Sequence, residues 1–368
     1  MEFLKDLLSL NPFSFDHVKR KNIFFNSVLD CFDYHYNNSH EFKKWCVNNK
    51  IYGSSDIKIL EDLPYFPSNI FKYVDLKTSQ NSYKTINSSG TTNQLKSKIM
   101  IDKKNSKLQT LVLSKILSEI LGSKRKPFLI IDLNPTKHEN SKKLSARYAG
   151  LSGYLIAASS REFMLTENID QISLNLPKFY KVLKEFIKKK QPVIIIGYTY
   201  LIYEKLILFF QAKKEQIKLP DGSTLIHFGG WKKIKEKKIM KKDLNKLIYE
   251  TLNIQIDKII DIYGFTEQLG TVYPSFGNNG CRVPSFSELI VRDTKTLKPV
   301  KDGEIGFLQF ISPIQTSYPG LSIINDDLGR VVVRGNEVVE FEVIGRPESA
   351  VPRGCGDTLP EKFLFGKN

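Results

Sequence analysis

No stretch of this 368-residue chain is long and apolar enough to cross a bilayer. Its strongest apolar runs, 193–197 and 206–210, fall far short of the roughly 20 residues a spanning helix needs. Residues 1–15 mix acid, base and proline and have no basic region leading into an apolar one, so no secretory leader is read there. Cysteine is scarce: Cys31, Cys46, Cys281 and Cys355 stand far apart, with no CxxC and no Cys/His metal spacing. That excludes a disulfide framework and a zinc module, and free thiols in the cytoplasm are expected. Internal repeats, low-complexity linkers, a GxxxxGK[ST] phosphate loop and nucleic-acid-binding motifs are all missing.

What remains is an ordinary globular composition, 41% apolar and 26% charged, with enough apolar residues for a large core. The formal net charge is +16, a field that attracts anions such as nucleotides, acyl-CoA or an acidic carrier protein. A lysine-rich proteome is the plainer account of that charge, and nucleic acid is not expected as a partner.

The first 80 or so residues read as helical, with apolar residues at three- and four-residue spacing over 15–36. After Gly90 helices and strands alternate. Helices are expected at 108–121, 177–188, 201–213 and 242–252. Short apolar runs at 126–134, 192–197, 224–228 and 258–263 read as buried strands, and the order favours a mostly parallel sheet covered by helices. From Glu288 the pattern turns to short strands and turns, at 288–292, 305–312, 331–334 and 338–344.

Five segments carry residues suited to chemistry. Ser88, Ser89, Gly90, Thr91 and Thr92, followed by Lys96 and Lys98, offer backbone N–H groups, hydroxyls and positive charge to a phosphate chain. Tyr263, Gly264, Thr266 and Glu267 follow an expected strand, at the end where open α/β sheets bind ligands. There Tyr263 offers a flat surface to a base, Thr266 a hydroxyl, and Glu267 a carboxylate for Mg2+. Gly229 and Gly230 follow another strand and permit close approach of a ligand to the backbone. Asp327, in Asn-Asp-Asp-Leu-Gly, can accept hydrogen bonds from two ribose hydroxyls. Cys355 lies between glycines beside Arg353, a setting that favours the nucleophilic thiolate. Each segment by itself also reads as an ordinary turn or an incidental thiol.

Together and in this order, the segments resemble the adenylate-forming superfamily of acyl-CoA synthetases, luciferase-like ligases and phenylacetate–CoA ligase. SSGTTNQLKSK resembles its phosphate loop, FGGW its adenine strand, YGFTE its Tyr-Gly-x-Thr-Glu element and NDDLG its ribose segment. Val343-Ile344-Gly345-Arg346 resembles its Gly-Arg hinge. A closer resemblance, over most of the chain, is to the acyl-protein synthetases of bacterial bioluminescence (LuxE family). It includes YHYNNSHEFKKWC, EDLPYFPSNIFK, FGGWKK, TLKPVKDGEIG, TSYPGLSIINDDLG and RGCG. Asn93 departs from the pattern, since many superfamily members have glycine there.

The resemblance implies an α/β fold: a large adenylate-forming domain of mostly parallel sheet covered by helices, with a small β-rich subdomain. The expected division is a helical region 1–86, an adenylation core 87–287, the β-rich part 288–346 and a tail 347–368. Only 22 residues follow Arg346, so the superfamily's mobile C-terminal domain is expected to be largely absent. The implied reaction uses ATP and Mg2+ to turn a carboxylic, fatty acid into acyl-AMP. The acyl group then moves to Cys355, and from there to a partner acyl reductase or acyltransferase. Implied roles are Ser88, Ser89, Gly90, Thr91, Thr92, Lys96 and Lys98 on the phosphates, and Glu267 with Thr266 at the metal. Tyr263, Gly264, Gly229 and Gly230 take adenine, Asp327 the ribose, and Arg346 acts at the hinge. Two alternatives stand beside this: a CoA ligase with CoA as acceptor, and a basic binding protein on a degenerate adenylation fold.

Overall fold

The computed structural model describes residues 3–81, 83–87, 97–135, 148, 150–168, 171–230, 239–335 and 338–346. Ser88, Ser89, Gly90, Thr91, Thr92, Lys96 and Cys355 therefore lie outside the described residues.

The chain opens with helices Phe3–Ser9, His17–Asn38 and His40–Asn48. Asp16 caps the second through the Lys19 N–H, and Ser39 both ends that helix and caps the next. Phe24, Val28, Cys31, Phe32 and His35 recur at helical spacing and are all buried. Distant parts of the chain cover this face. Arg20 donates to the Ser285 carbonyl at 3.2 Å and pairs with Glu288 at 2.6 Å, while the Ser285 N–H donates to the Pro12 carbonyl.

The strands are β1 (Phe66–Pro67), β2 (Lys84–Asn87), β3 (Lys98–Ile101), β4 (Lys126–Leu133), β5 (Ala158–Asn168), β6 (Gln171–Leu174), β7 (Ile194–Tyr198), β8 (Thr224–Phe228), β9 (Ile259–Tyr263), β10 (Tyr273–Phe276), β11 (Cys281–Arg282), β12 (Glu288–Arg292), β13 (Gly306–Ile311), β14 (Ser322–Arg334) and β15 (Val339–Gly345). β2 and β3 form a separate antiparallel pair. The rest make one 13-stranded sheet in the order β12-β13-β14-β15-β11-β10-β9-β8-β7-β4-β5-β6, with β1 beside β14.

Strands β5, β4, β7, β8 and β9 are parallel neighbours. β4, β7 and β8 are buried almost throughout, which is why their sequences are continuous apolar runs rather than alternating ones. From β10 onward the pairing is antiparallel, except that β1 runs parallel to β14. Tyr273, Phe310 and Phe341 centre a second apolar cluster there, their rings 4.7–5.6 Å apart.

Helices Lys103–Leu121, Leu176–Lys188 and Lys241–Leu252, and a helical stretch over 199–212, connect the strands. Ile202–Ile207 in that stretch is π-helical. These helices close on left-handed residues: Gly122 (φ 82°), Lys190 (φ 50°), Lys214 (φ 54°) and Asn253 (φ 53°). A lysine in that conformation costs about 1 kcal/mol relative to glycine. Among the described residues, no helix is long and apolar enough to cross a membrane.

Candidate active site at the carboxyl ends of the parallel strands

Three loops leave the same edge of the parallel sheet: Thr199 after β7, Gly229-Gly230 after β8, and Gly264 to Gln268 after β9. That edge is where open α/β sheets bind ligands. Gly229 and Gly230 have φ of 85° and 62°. A Cβ on Gly229 would sit 2.8 Å from Tyr198 Cδ1, so only glycine lets the backbone pass the tyrosine ring. Trp231 lies outside the described residues.

Thr266–Gln268 forms a single 3-10 turn that buries Glu267. Its seat is a polar network. The Tyr318 hydroxyl lies 3.0 Å from the Glu267 carbonyl oxygen and 2.9 Å from Gln315 Oε1. Gln109 Nε2 donates to that same Gln315 oxygen at 2.8 Å. Gln268 Nε2 donates to the carbonyls of Phe310 and Gly320. On the side-chain side, buried Ser97 places its Oγ 3.4 Å from Glu267 Oε1. Ser97 immediately precedes exposed Lys98 on β3, so the end of the phosphate-loop motif reaches the Glu267 carboxylate. Among the described residues, no group of three His, Cys, Asp or Glu side chains is placed to hold a metal. A buried carboxylate beside hydroxyls is still a fitting donor set for Mg2+, which is commonly held by one or two carboxylates, waters and substrate phosphates.

Asp327 falls inside the long strand β14, not on the turn its composition suggests. It draws together residues far apart in sequence. The Tyr263 hydroxyl donates to Asp327 Oδ2 at 2.8 Å, Asn325 Nδ2 donates to the Tyr263 oxygen at 3.0 Å, and Arg346 Nε donates to Asp327 Oδ1 at 2.6 Å. Burial, reinforced by the Asp327 carboxylate, pushes the Tyr263 phenol well above its ordinary value, so it stays a donor. Burial alone would lower Arg346; the Asp327 carboxylate more than offsets it and the guanidinium stays charged. Among the described residues each Asp327 oxygen has one protein donor and retains acceptor capacity for a pair of hydroxyls. Asn325 and Asp326 also line a cleft of about 600 Å³ with Trp45, Ile51, Tyr65 and Phe307.

Sequence reasoning passed over a histidine here. The β7–β8–β9 register sets Gly197, His227 and Asp261 side by side. Buried His227 places Nδ1 3.0 Å from Thr199 Oγ1 and 3.5 Å from Asp261 Oδ1. The Thr199 hydroxyl donates to the Phe228 carbonyl at 3.2 Å, so it receives the Nδ1 proton. Among the described residues His227 Nε2 has no hydrogen-bond partner, and burial pulls the ring below its ordinary pKa. Only the strand register reveals this pairing; no local motif marks it.

The family model of the acyl-protein synthetases, LuxE, matches residues 2–364. The chain belongs to this acyl-protein synthetase family. A long-chain-fatty-acid–luciferin-component ligase of Aliivibrio fischeri is 26% identical over 367 residues, covering 96% of this chain and 92% of the relative. A ligase of the same name from Vibrio harveyi is 22% identical over 379 residues, covering 98% and 93%. Among solved structures, 2-hydroxyisobutyryl-CoA ligase in its postadenylation state with 2-HIB-AMP superposes with a TM-score of 0.66. It is 12% identical, over 91% of this chain and 69% of that one, a likeness of fold. This acyl-protein synthetase family member is thus an ATP-dependent acid ligase with the adenylate-forming fold.

Proposed function

We propose that this protein activates a fatty acid with ATP, receives the acyl group on Cys355 and delivers it to a partner acyl reductase or acyltransferase. The observation that carries the reading is the meeting of Tyr263, Asp327 and Arg346 beside the strand ends, in a chain that matches the acyl-protein synthetase family almost end to end. In the first step the acid's carboxylate oxygen attacks the α-phosphorus of ATP, and the bond to pyrophosphate breaks. In the second, the Cys355 thiolate attacks the acyl carbonyl and AMP leaves, giving a thioester.

The roles follow from the chemistry of each group. Asp327 accepts the ribose hydroxyls, oriented by Tyr263 and Arg346. Gly229, Gly230, Gly264 and the Tyr263 ring flank adenine. Ser88, Ser89, Gly90, Thr91, Thr92, Lys96 and Lys98 cradle the phosphates, with Thr266 beside them. Glu267 is the protein ligand for Mg2+, which when bound neutralises charge on the departing pyrophosphate. Preorganised groups of this kind contribute several kcal/mol to such a step.

The test is intact-mass measurement after incubation with ATP, Mg2+ and carboxylic acids of graded chain length. A gain of one acyl group that disappears in Cys355→Ala supports the reading. A gain that survives in Cys355→Ala removes Cys355 as acceptor, and free acyl-CoA formed on adding CoA reassigns the enzyme as a CoA ligase.

A further inference from the structure

The edge of the parallel sheet opposite the candidate active site collects positive charge. Each connecting helix returns to this edge, so the residues at and between a helix end and the next strand's start gather there: 122–126 into β4, 188–193 before β7, 213–223 before β8 and 253–258 before β9. These four connections hold ten Lys or Arg against three Asp or Glu, where the whole chain has 55 against 39. Lys124, Arg125, Lys188, Lys189, Lys190, Lys213, Lys214, Lys218 and Lys258 are all exposed. The three acids offset little. Glu215 accepts from the Tyr180 hydroxyl, Asp257 lies 3.8 Å from its neighbour Lys258, and Asp221, in the turn before β8, has no ion-pair partner among the described residues.

Two observations separate this face from a scatter of surface lysines. Lys126, half-buried at the start of β4, is held below its ordinary pKa first by burial and then by Lys258 just before β9, so cations beside different strands share one field. Lys190 and Lys214 also occupy left-handed helix-ending positions where glycine is the easier residue. A helix C-terminus favours a cation, which accounts for one or two per helix but not for the run of three at 188–190.

We infer that this face docks the protein on an anionic lipid surface. Nine of the ten cations are lysine, a hydrated point charge suited to a diffuse layer of headgroups, whereas bidentate recognition of particular carboxylates or phosphates favours arginine. Ile187 and Ile256 are exposed by 45% and 38% at the same level, placing apolar side chains among the charges. The mode is peripheral and leaves the carboxyl edge of the sheet facing away from the lipid, open to a partner.

Each lysine near an anionic bilayer strengthens binding about five-fold. The experiment is co-sedimentation with phosphatidylcholine vesicles with and without phosphatidylglycerol, at low and high salt. The face variant is Lys124→Gln, Arg125→Gln, Lys213→Gln, Lys258→Gln. A control removes four exposed lysines elsewhere: Lys5→Gln, Lys19→Gln, Lys21→Gln, Lys44→Gln. Acyl-AMP formation reports that both variants are folded. The expected result is salt-sensitive enrichment on phosphatidylglycerol vesicles that falls at least about 10-fold in the face variant and much less in the control. No preference for phosphatidylglycerol, equal losses in the two variants, or stronger retention on duplex DNA than on the vesicles each overturns the assignment.

Discussion

Acidification should weaken the protein through His35. This residue is wholly buried on helix His17–Asn38, with Nε2 2.8 Å from the Gln315 carbonyl and Nδ1 2.7 Å from Thr78 Oγ1. Burial pulls its pKa from 6.5 to about 4. A histidine whose folded pKa is depressed stabilises the fold fully above its unfolded value. That contribution fades as pH falls from 6.5, where the unfolded chain begins to take the proton, and it is gone below about 4. The whole shift corresponds to about 3 kcal/mol, and about 2 kcal/mol of it is lost by pH of about 5. Urea unfolding at about pH 7.5 and about pH 5 measures it, with His35→Asn as the non-titrating reference. Wild type should lose about 2 kcal/mol more than the variant across that interval. Equal losses would refute the reasoning.

Three further outcomes are expected. Glu267→Gln should cut acyl-AMP formation about 100-fold or more while far-UV circular dichroism stays unchanged; a wild-type rate removes Glu267 from the machinery. Asp327→Asn removes the charge that Tyr263 and Arg346 share, and should raise KM for ATP about 10-fold, an effect that steady-state kinetics at varied ATP will reveal or deny. Gly229→Ala forces a Cβ into a left-handed backbone 2.8 Å from Tyr198 Cδ1. It should lower stability by about 2 kcal/mol in thermal melts, and an unshifted melt contradicts the packing described.

The parallel strands were legible because burial leaves them mostly apolar, with only single polar residues such as His227 and Asp261 inside the runs. The runs at Lys126–Leu133, Ile194–Tyr198, Thr224–Phe228 and Ile259–Tyr263 sit within two residues of the expected bounds. Ala158–Asn168 carries Ser159, Ser160, Arg161 and Glu162 on a partly exposed surface, and no apolar run announces it. Asn325 to Gly329 has the composition of a turn yet lies in a strand, because Ile324 and Leu328 on either side of 325–327 both pair with β13 across a register shift, and Leu328 and Gly329 also pair with β15. The motifs located Tyr263, Asp327 and Arg346 separately. Their meeting spans 64 and 19 residues of sequence and belongs to the tertiary structure alone. His227 was invisible for the same reason: its partner Asp261 is defined by register between strands, not by spacing along the chain.

The contacts that bury the first helices bear on synthesis. Arg20 waits for Ser285, 265 residues later, and His35 for Gln315, 280 residues later, while β1 pairs with a strand that begins at Ser322. At a ribosome's usual pace of about 5–20 residues per second, the N-terminal helices spend on the order of 10–60 s without the partners that cover them. Phe24, Val28 and Phe32 present an apolar face throughout that interval, so the nascent chain is an expected client of chaperones that hold such surfaces until the last strands of the sheet emerge.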